Sequence, residues 1–375
     1  MKKIFIVAGE LSGDKLGAWY ISKLNDLYSG AGLTSGENFC FEAVGGKFLE
    51  NAGSKIYARF EEKLNIVGVT EIIKKIPAVL KFIKQLSNHI IKNDFDEVVV
   101  IDVPGFNLRL IKKLKHLKPD LKITYLSPPQ LWVWGERRVK KIKKFCDEVI
   151  VIYPFEVDWY KQRSVSVTWL GYPFYNKFKP YFDLECKRRN RIAVMLGSRR
   201  TEVDTLLPIF SSVIKKFKLI YPYTEFVFPI AESVDKKFIE NRLKKNGLNL
   251  SGNDIKIIQG EDEKFKALKT CCLALTKPGT VSLELALLAI PAIVAYKVSW
   301  ITYFIAKLVV KIKHMALPNL IFGNSSIYPE FIQGDCKVDK ILSELNSIYC
   351  KFIKQDKLYF EKVKNLEVAR NQLSF

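Results

Sequence analysis

Short apolar runs alternate with amphipathic stretches along most of the chain. In the first half, runs at 3–8, 41–44, 98–102, 123–126, 149–152 and 167–170 read as strands, with helical spacing between most of them. Because many of these runs are continuously apolar, they suit strands covered on both faces, and the βαβ alternation predicts a parallel, doubly wound sheet. Runs at 192–196, 225–229, 255–259, 273–276 and 292–296 repeat the pattern. Two such sheets in series predict an α/β protein of two Rossmann-like domains facing a central cleft, where ligands of this architecture bind. The expected boundaries are a first domain over 1–171, a linker over 172–190 carrying Pro173 and Pro180, a second domain over 191–355, and a C-terminal helix over 356–375.

Two stretches depart from the pattern. From 66 to 91, Val69, Ile72, Ile73, Ile76, Leu80 and Ile83 follow helical spacing with Lys74, Lys75, Lys81 and Lys84 among them. The stretch 300–312 places Trp300, Phe304 and Leu308 beside Lys307 and Lys311. Basic amphipathic helices with bulky apolar faces can lie in a membrane interface, and packing on the sheet is the alternative. Charge keeps both open: the formal net charge is +21, which draws a protein to polyanions. An anionic membrane surface, a phosphorylated substrate and nucleic acid all qualify. No RRM, KH, zinc-finger or helix-turn-helix pattern supports nucleic acid, so no nucleic-acid partner is expected.

At 375 residues, 48% hydrophobic and 26% charged, the chain has material for two cores. Its seven cysteines show no metal spacing and suit reduced thiols. The longest apolar run, 285–296, contains Pro291 and is too short for a bilayer span.

The chemistry concentrates where strands end. RIAVMLGSRRTEV reads as a strand running into Gly197-Ser198 and then a helix, with Arg199 and Arg200 at the helix start. A helix N-terminus beside a guanidinium suits a diphosphate, although a capped junction with solvated arginines would look the same. Gly279 and Thr280 open another helix, and Glu284, one turn in, could bind a ribose diol. Glu10 and Asp102 stand at strand ends as candidate general bases, with helix capping the alternative. No GxGxxG follows any strand, so no dinucleotide cofactor is expected. Asp94-Phe95-Asp96 spells a DxD but precedes its strand, the three histidines are scattered, and no metal is expected.

The motifs GELSGDKLGA, IDVPGFN, SPPQLWVWGERRVKKI, PFE, LGSRRTEV, KPGTVSLELALLAIPAIVAYK and LPNLIFG, in this order, resemble the lipid-A-disaccharide synthase family across nearly the whole chain. The resemblance implies an inverting glycosyltransferase of the GT-B type, joining UDP-2,3-diacylglucosamine to 2,3-diacylglucosamine 1-phosphate without a cofactor. It also implies a cytoplasmic enzyme held peripherally on the inner face of the inner membrane, and a last helix that returns to the first domain. Carried over by position, the essential acids match Glu10 and Asp102, the arginine Arg199 and the asparagine Asn319; Gly197, Ser198, Arg199, Glu202, Gly279, Thr280 and Glu284 would bind UDP. Departures from the family pattern are Leu196 for Pro, Pro278 for Ser, Tyr172 for His and Gly105 for an acid. Asp102 is the expected base, with Glu10 the alternative. Another UDP-sugar enzyme of the same architecture, such as a polyprenyl-linked N-acetylglucosaminyltransferase or an epimerase, is the nearest rival reading.

Overall fold

The structure is a computed structural model that describes residues 1–29, 39–60, 69–133, 135–182, 187–197, 199–231, 234–250, 252, 254–299, 303, 314–323 and 327–374, with backbone alone at 29 and 69–76. It divides into two compact units, Met1–Pro173 and Phe174–Phe375.

The first unit is a seven-stranded sheet in the order β3-β2-β1-β4-β5-β6-β7, every pair parallel. Its strands are β1 (Lys2–Ala8), β2 (Phe39–Gly45), β3 (Lys55–Arg59), β4 (Glu97–Ile101), β5 (Lys122–Leu126), β6 (Glu148–Val151) and β7 (Val167–Trp169). Between them run α1 (Leu11–Ser29), α2 (Lys47–Asn51), α3 (Val69–Lys92), α4 (Pro104–Leu117), α5 (Val139–Phe145) and α6 (Phe155–Lys161). The middle strands are largely apolar because helices cover both faces; all five residues of β4 are buried, Glu97 among them in ion pairs with Lys2 and Lys122. On α4, Phe106, Leu110, Ile111 and Leu114 recur at helical spacing and pack into the core with Phe82, Ile83 and Leu86 of α3. Each such burial contributes about 1.5–3 kcal/mol.

The second unit repeats the plan with six parallel strands in the order β10-β9-β8-β11-β12-β13. These are β8 (Arg189–Met195), β9 (Glu225–Ile230), β10 (Ile255–Gln259), β11 (Cys271–Thr276), β12 (Ala292–Tyr296) and β13 (Glu330–Ile332). Its helices are α7 (Tyr175–Phe178), α8 (Arg200–Ile220), α9 (Lys236–Lys245), α10 (Glu261–Lys269), α11 (Thr280–Leu287), α12 (Leu317–Ile321), α13 (Val338–Ile353) and α14 (Lys357–Asn371). Val203, Leu207, Phe210, Ile214 and Phe217 form the buried stripe of α8. The residues just before β8 are built into this unit, since Lys177 pairs with Glu261 at 2.5 Å and the Tyr181 hydroxyl donates to Asp262 at 2.6 Å. So is α14, whose Tyr359 hydroxyl donates to the Cys272 carbonyl at 2.7 Å.

Both sheets contain strands that the hydropathy pattern does not announce. Every residue of β3 is exposed or half-buried, and β13 has three half-buried residues; each lies at a sheet edge, where one side is open.

Candidate active site

In each sheet the strand order reverses direction once, and the candidate acids and phosphate-binding turns lie there. The first reversal lies between β1 and β4, with Ala8 opposite Ile101. Glu10 and Asp102 therefore leave adjacent strands at the same carboxyl edge, the position where α/β sheets bind ligands. Glu10 is exposed and accepts a short hydrogen bond from the Ser12 hydroxyl. Asp102 is half-buried, and burial first, then the charge of Glu10, raises its carboxyl above the usual range, while the Val103 backbone pulls it down. A carboxylate so raised is a stronger proton acceptor than a solvated one. Asp14, in the same motif as Glu10, is wholly buried and accepts backbone N–H bonds from Gly46 (2.7 Å), Phe48 (2.9 Å) and Leu49 (3.2 Å), so it caps α2.

Asp102 has φ 43° and Val103 φ 35°, left-handed backbone that a β-branched residue rarely adopts. The Asn107 amide donates to the Ile101 carbonyl at 2.9 Å and the Asp102 carbonyl at 2.7 Å, and the Tyr125 hydroxyl donates to the Asp102 carbonyl at 2.7 Å. Neither residue was singled out from sequence, although Asn107 stands in the motif.

The second reversal lies between β8 and β11, with Met195 opposite Thr276. Here Gly197 has φ 93°, and a Cβ would fall 2.7 Å from Lys277 Cδ and overlap the Glu202 carboxylate. Only glycine fits. Ser198 lies outside the described residues. Arg199 is exposed and its guanidinium makes no ion pair among the described residues, whereas Arg200 stacks on Phe238 at 5.1 Å. The Arg199 N–H donates to Glu202 at 3.4 Å. On the facing turn, Gly279 has φ 110° and precedes α11, which begins at Thr280. Lys277 pairs with Glu202 at 2.5 Å and ties the two turns together. Lys264 pairs with Glu284 at 2.6 Å. The edge thus combines two helix N-termini, the Arg199 guanidinium and two lysines, with carboxylates able to receive hydroxyls. Lys277 was not singled out from sequence; its signal is a cation ending a strand just before Pro-Gly. Tyr296, at the end of β12, joins the same cluster: burial raises its hydroxyl pKa, Glu202 adds to the rise and Arg199 opposes it.

Asn319 has a different setting. Only 2% exposed, it donates to the Tyr328 carbonyl (2.8 Å) and Glu330 (2.6 Å) and accepts from the Tyr328 N–H (2.9 Å). Its amide fastens α12 to the segment leading into β13. The DxD acids are engaged at the amino edge of β4, Asp94 with Lys118 at 2.6 Å and Asp96 with the Lys3 N–H at 2.7 Å.

Among the apolar positions expected at a membrane, the side chains of Val69, Ile72, Ile73 and Ile76, and all of Trp300 and Phe304, lie outside the described residues. Leu80 is 50% exposed and Ile83 only 4%, packed in the core. Beside Leu80, α3, α4 and α5 border adjoining cavities of about 370, 430 and 230 Å³. Arg109 lines all three, with Lys112, Lys113, Lys141 and Lys144 around it, none in an ion pair among the described residues. No helix among the described residues is long and apolar enough to cross a membrane.

The folds of solved proteins agree with this plan. A UDP-GlcNAc 2-epimerase from Neisseria meningitidis bound to UDP-GlcNAc superposes with a TM-score of 0.59 at 12% identity, covering 98% of this chain and 97% of that one. An S. aureus MnaA–UDP co-structure superposes with a TM-score of 0.62 at 14% identity, covering 99% and 94%. At such identities the likeness establishes the two-domain fold. Sequence relatives are closer: the lipid-A-disaccharide synthase of Rickettsia prowazekii is 33% identical over 99% of this chain and 94% of its own. That of a Sulfurihydrogenibium species is 31% identical over 100% and 94%. The family model for lipid-A-disaccharide synthetase matches residues 4–373. With a full-length family match and relatives of the same name along the whole chain, this chain belongs to the lipid-A-disaccharide synthase family of glycosyltransferases.

Proposed function

We propose that the chain joins UDP-2,3-diacylglucosamine to the 6-hydroxyl of 2,3-diacylglucosamine 1-phosphate, giving the β-1,6-linked disaccharide 1-phosphate and UDP. The observation that carries this reading is the placing of opposite chemistries at two sheet reversals: a proton-accepting Asp102 in the first unit, and cations with helix N-termini in the second. Asp102 takes the hydroxyl proton as the acceptor oxygen attacks the anomeric carbon. The C1–O6 bond forms while the bond from C1 to the diphosphate oxygen breaks, inverting the centre, and UDP leaves with its electron pair. Arg199, Lys277 and the first turns of α8 and α11 meet the departing charge. Glu284 receives ribose hydroxyls, and Glu10 orients the acceptor. Asn319 shapes the α12 segment. Solved proteins of this fold with UDP bound support a uridine nucleotide as the ligand.

Acylated substrates require a membrane. Exposed Leu80 beside a cluster of cations that form no ion pair among the described residues supports peripheral docking on the anionic cytoplasmic face of the inner membrane, through the α3–α5 surface.

The decisive assay measures UDP release from purified enzyme given both acylated substrates. Arg199→Ala should slow turnover by about 10²–10³, equivalent to roughly 3–4 kcal/mol of lost transition-state stabilisation, and Asp102→Asn should fall further. Equal rates in all three proteins, or turnover of unacylated UDP-N-acetylglucosamine instead, would remove the reading.

A further inference from the structure

We infer that Asn107 and Tyr125 are positioning residues for the transfer, clamping the peptide that carries Asp102 so that its carboxylate stands beside Glu10. This rests on the reading of Asp102 as the base.

The backbone needs such a clamp. Two successive non-glycine residues, Asp102 at φ 43° and Val103 at φ 35°, occupy the left-handed region, where side-chain-bearing residues are strained. Without opposing contacts the turn would relax to ordinary dihedrals and swing the Asp102 side chain away. Three donor contacts oppose this. The Asn107 amide spans the last carbonyl of β4 and that of Asp102, at 2.9 and 2.7 Å, and the Tyr125 hydroxyl reaches the Asp102 carbonyl at 2.7 Å from the neighbouring strand. Both side chains are almost sealed from water, Asn107 at 1% and Tyr125 at 0% exposed. Tyr125 thus spends the only polar atom of a buried aromatic side chain on the strained carbonyl. Pro104 begins α4 directly after Val103, and Asn107 lies on its first turn, so helix, strand and turn converge on one peptide. Neither side chain is assigned contact with substrate; each acts through Asp102.

The test is steady-state kinetics with both acylated substrates across pH. Tyr125→Phe removes one donor and keeps the ring; Asn107→Ala removes the other two. The expected result is kcat lowered about 3–10-fold in the first and 10–100-fold in the second, with the KM for the UDP-sugar changed less than twofold. The acid limb of kcat/KM should also move to lower pH, because a loosened Asp102 leaves the surroundings that raise its pKa. A role limited to stability would leave that limb in place. If Asn107→Ala does not fold, Tyr125→Phe decides alone: wild-type kcat with an unmoved limb overturns the inference. If Asp102→Asn is fully active, the base assignment fails first; if it is inactive while both clamp variants behave as wild type, only the clamp fails.

Discussion

Asp102 and Glu10 illustrate how two like groups acquire different tasks from their surroundings. Asp102 is half-buried and feels its neighbour's charge, so its proton is held more tightly than in a free aspartate, whereas Glu10 stands exposed. The sign of the coupling yields a prediction. Removing the Glu10 charge takes away one cause of the rise, so in Glu10→Gln the Asp102 pKa drops and the acid limb of kcat/KM moves to lower pH, whatever the loss in rate. A pH–rate profile of the residual activity checks this; a limb that stays or rises would show that the two carboxylates do not interact. Both acids were legible in the sequence because they follow apolar runs directly. Tyr125, which holds the Asp102 carbonyl, was not, because it lies in another strand; nor was the pairing of Lys277 with Glu202, which are separated by more than seventy residues and meet only through the order of strands.

At the scale of elements, the buried parallel strands were the easiest to read, since coverage on both faces makes them uninterrupted apolar runs. The edge strands β3 and β13 escaped for the converse reason. Junctions between elements were less legible still, and one is sensitive to pH. Glu156, in the first turn of α6 and 3% exposed, accepts from the Trp132 indole N–H at 2.9 Å and the Tyr153 N–H at 3.1 Å, stapling the loop after β5 to α6. Burial, only partly offset by these bonds, pushes its carboxyl up to about 7 from an ordinary 4.5. Below the ordinary value both folded and unfolded chains keep the proton. As pH rises toward 7 the unfolded chain releases it and the folded one does not, so stability falls, levelling off above 7 at a loss of about 3 kcal/mol. Thermal denaturation of wild type and Glu156→Gln should therefore diverge between pH 5 and 7, the variant gaining relative to wild type. Parallel curves would contradict the assignment of a buried, protonated carboxyl.

For the whole molecule, the large positive charge has a place as well as a size. Arg109, Lys112 and Lys141, none in an ion pair among the described residues, share one face of the first unit with exposed Leu80, while many other lysines are paired with acids. A basic residue near an anionic bilayer contributes about 1 kcal/mol. Changing those three together to glutamine should weaken co-sedimentation with phosphatidylglycerol vesicles by about 3 kcal/mol, on the order of 100-fold, while binding to zwitterionic vesicles stays weak in both proteins. Unchanged sedimentation would assign the charge to some other purpose.

The alternation of strands and helices, the presence of two sheets and the glycine turns are readable along the chain, because each follows from local periodicity and backbone freedom. The family motifs, too, are contiguous along the chain. It takes the folded chain to bring the candidate acids and the phosphate-binding turns each to a strand-order reversal, to hydrogen-bond Asn319 inside its unit, and to turn Ile83 to the core and Leu80 to water. Those outcomes depend on which distant segments pair, and a helical stripe wider than the surface it covers does not reveal from spacing alone which of its residues are left outside.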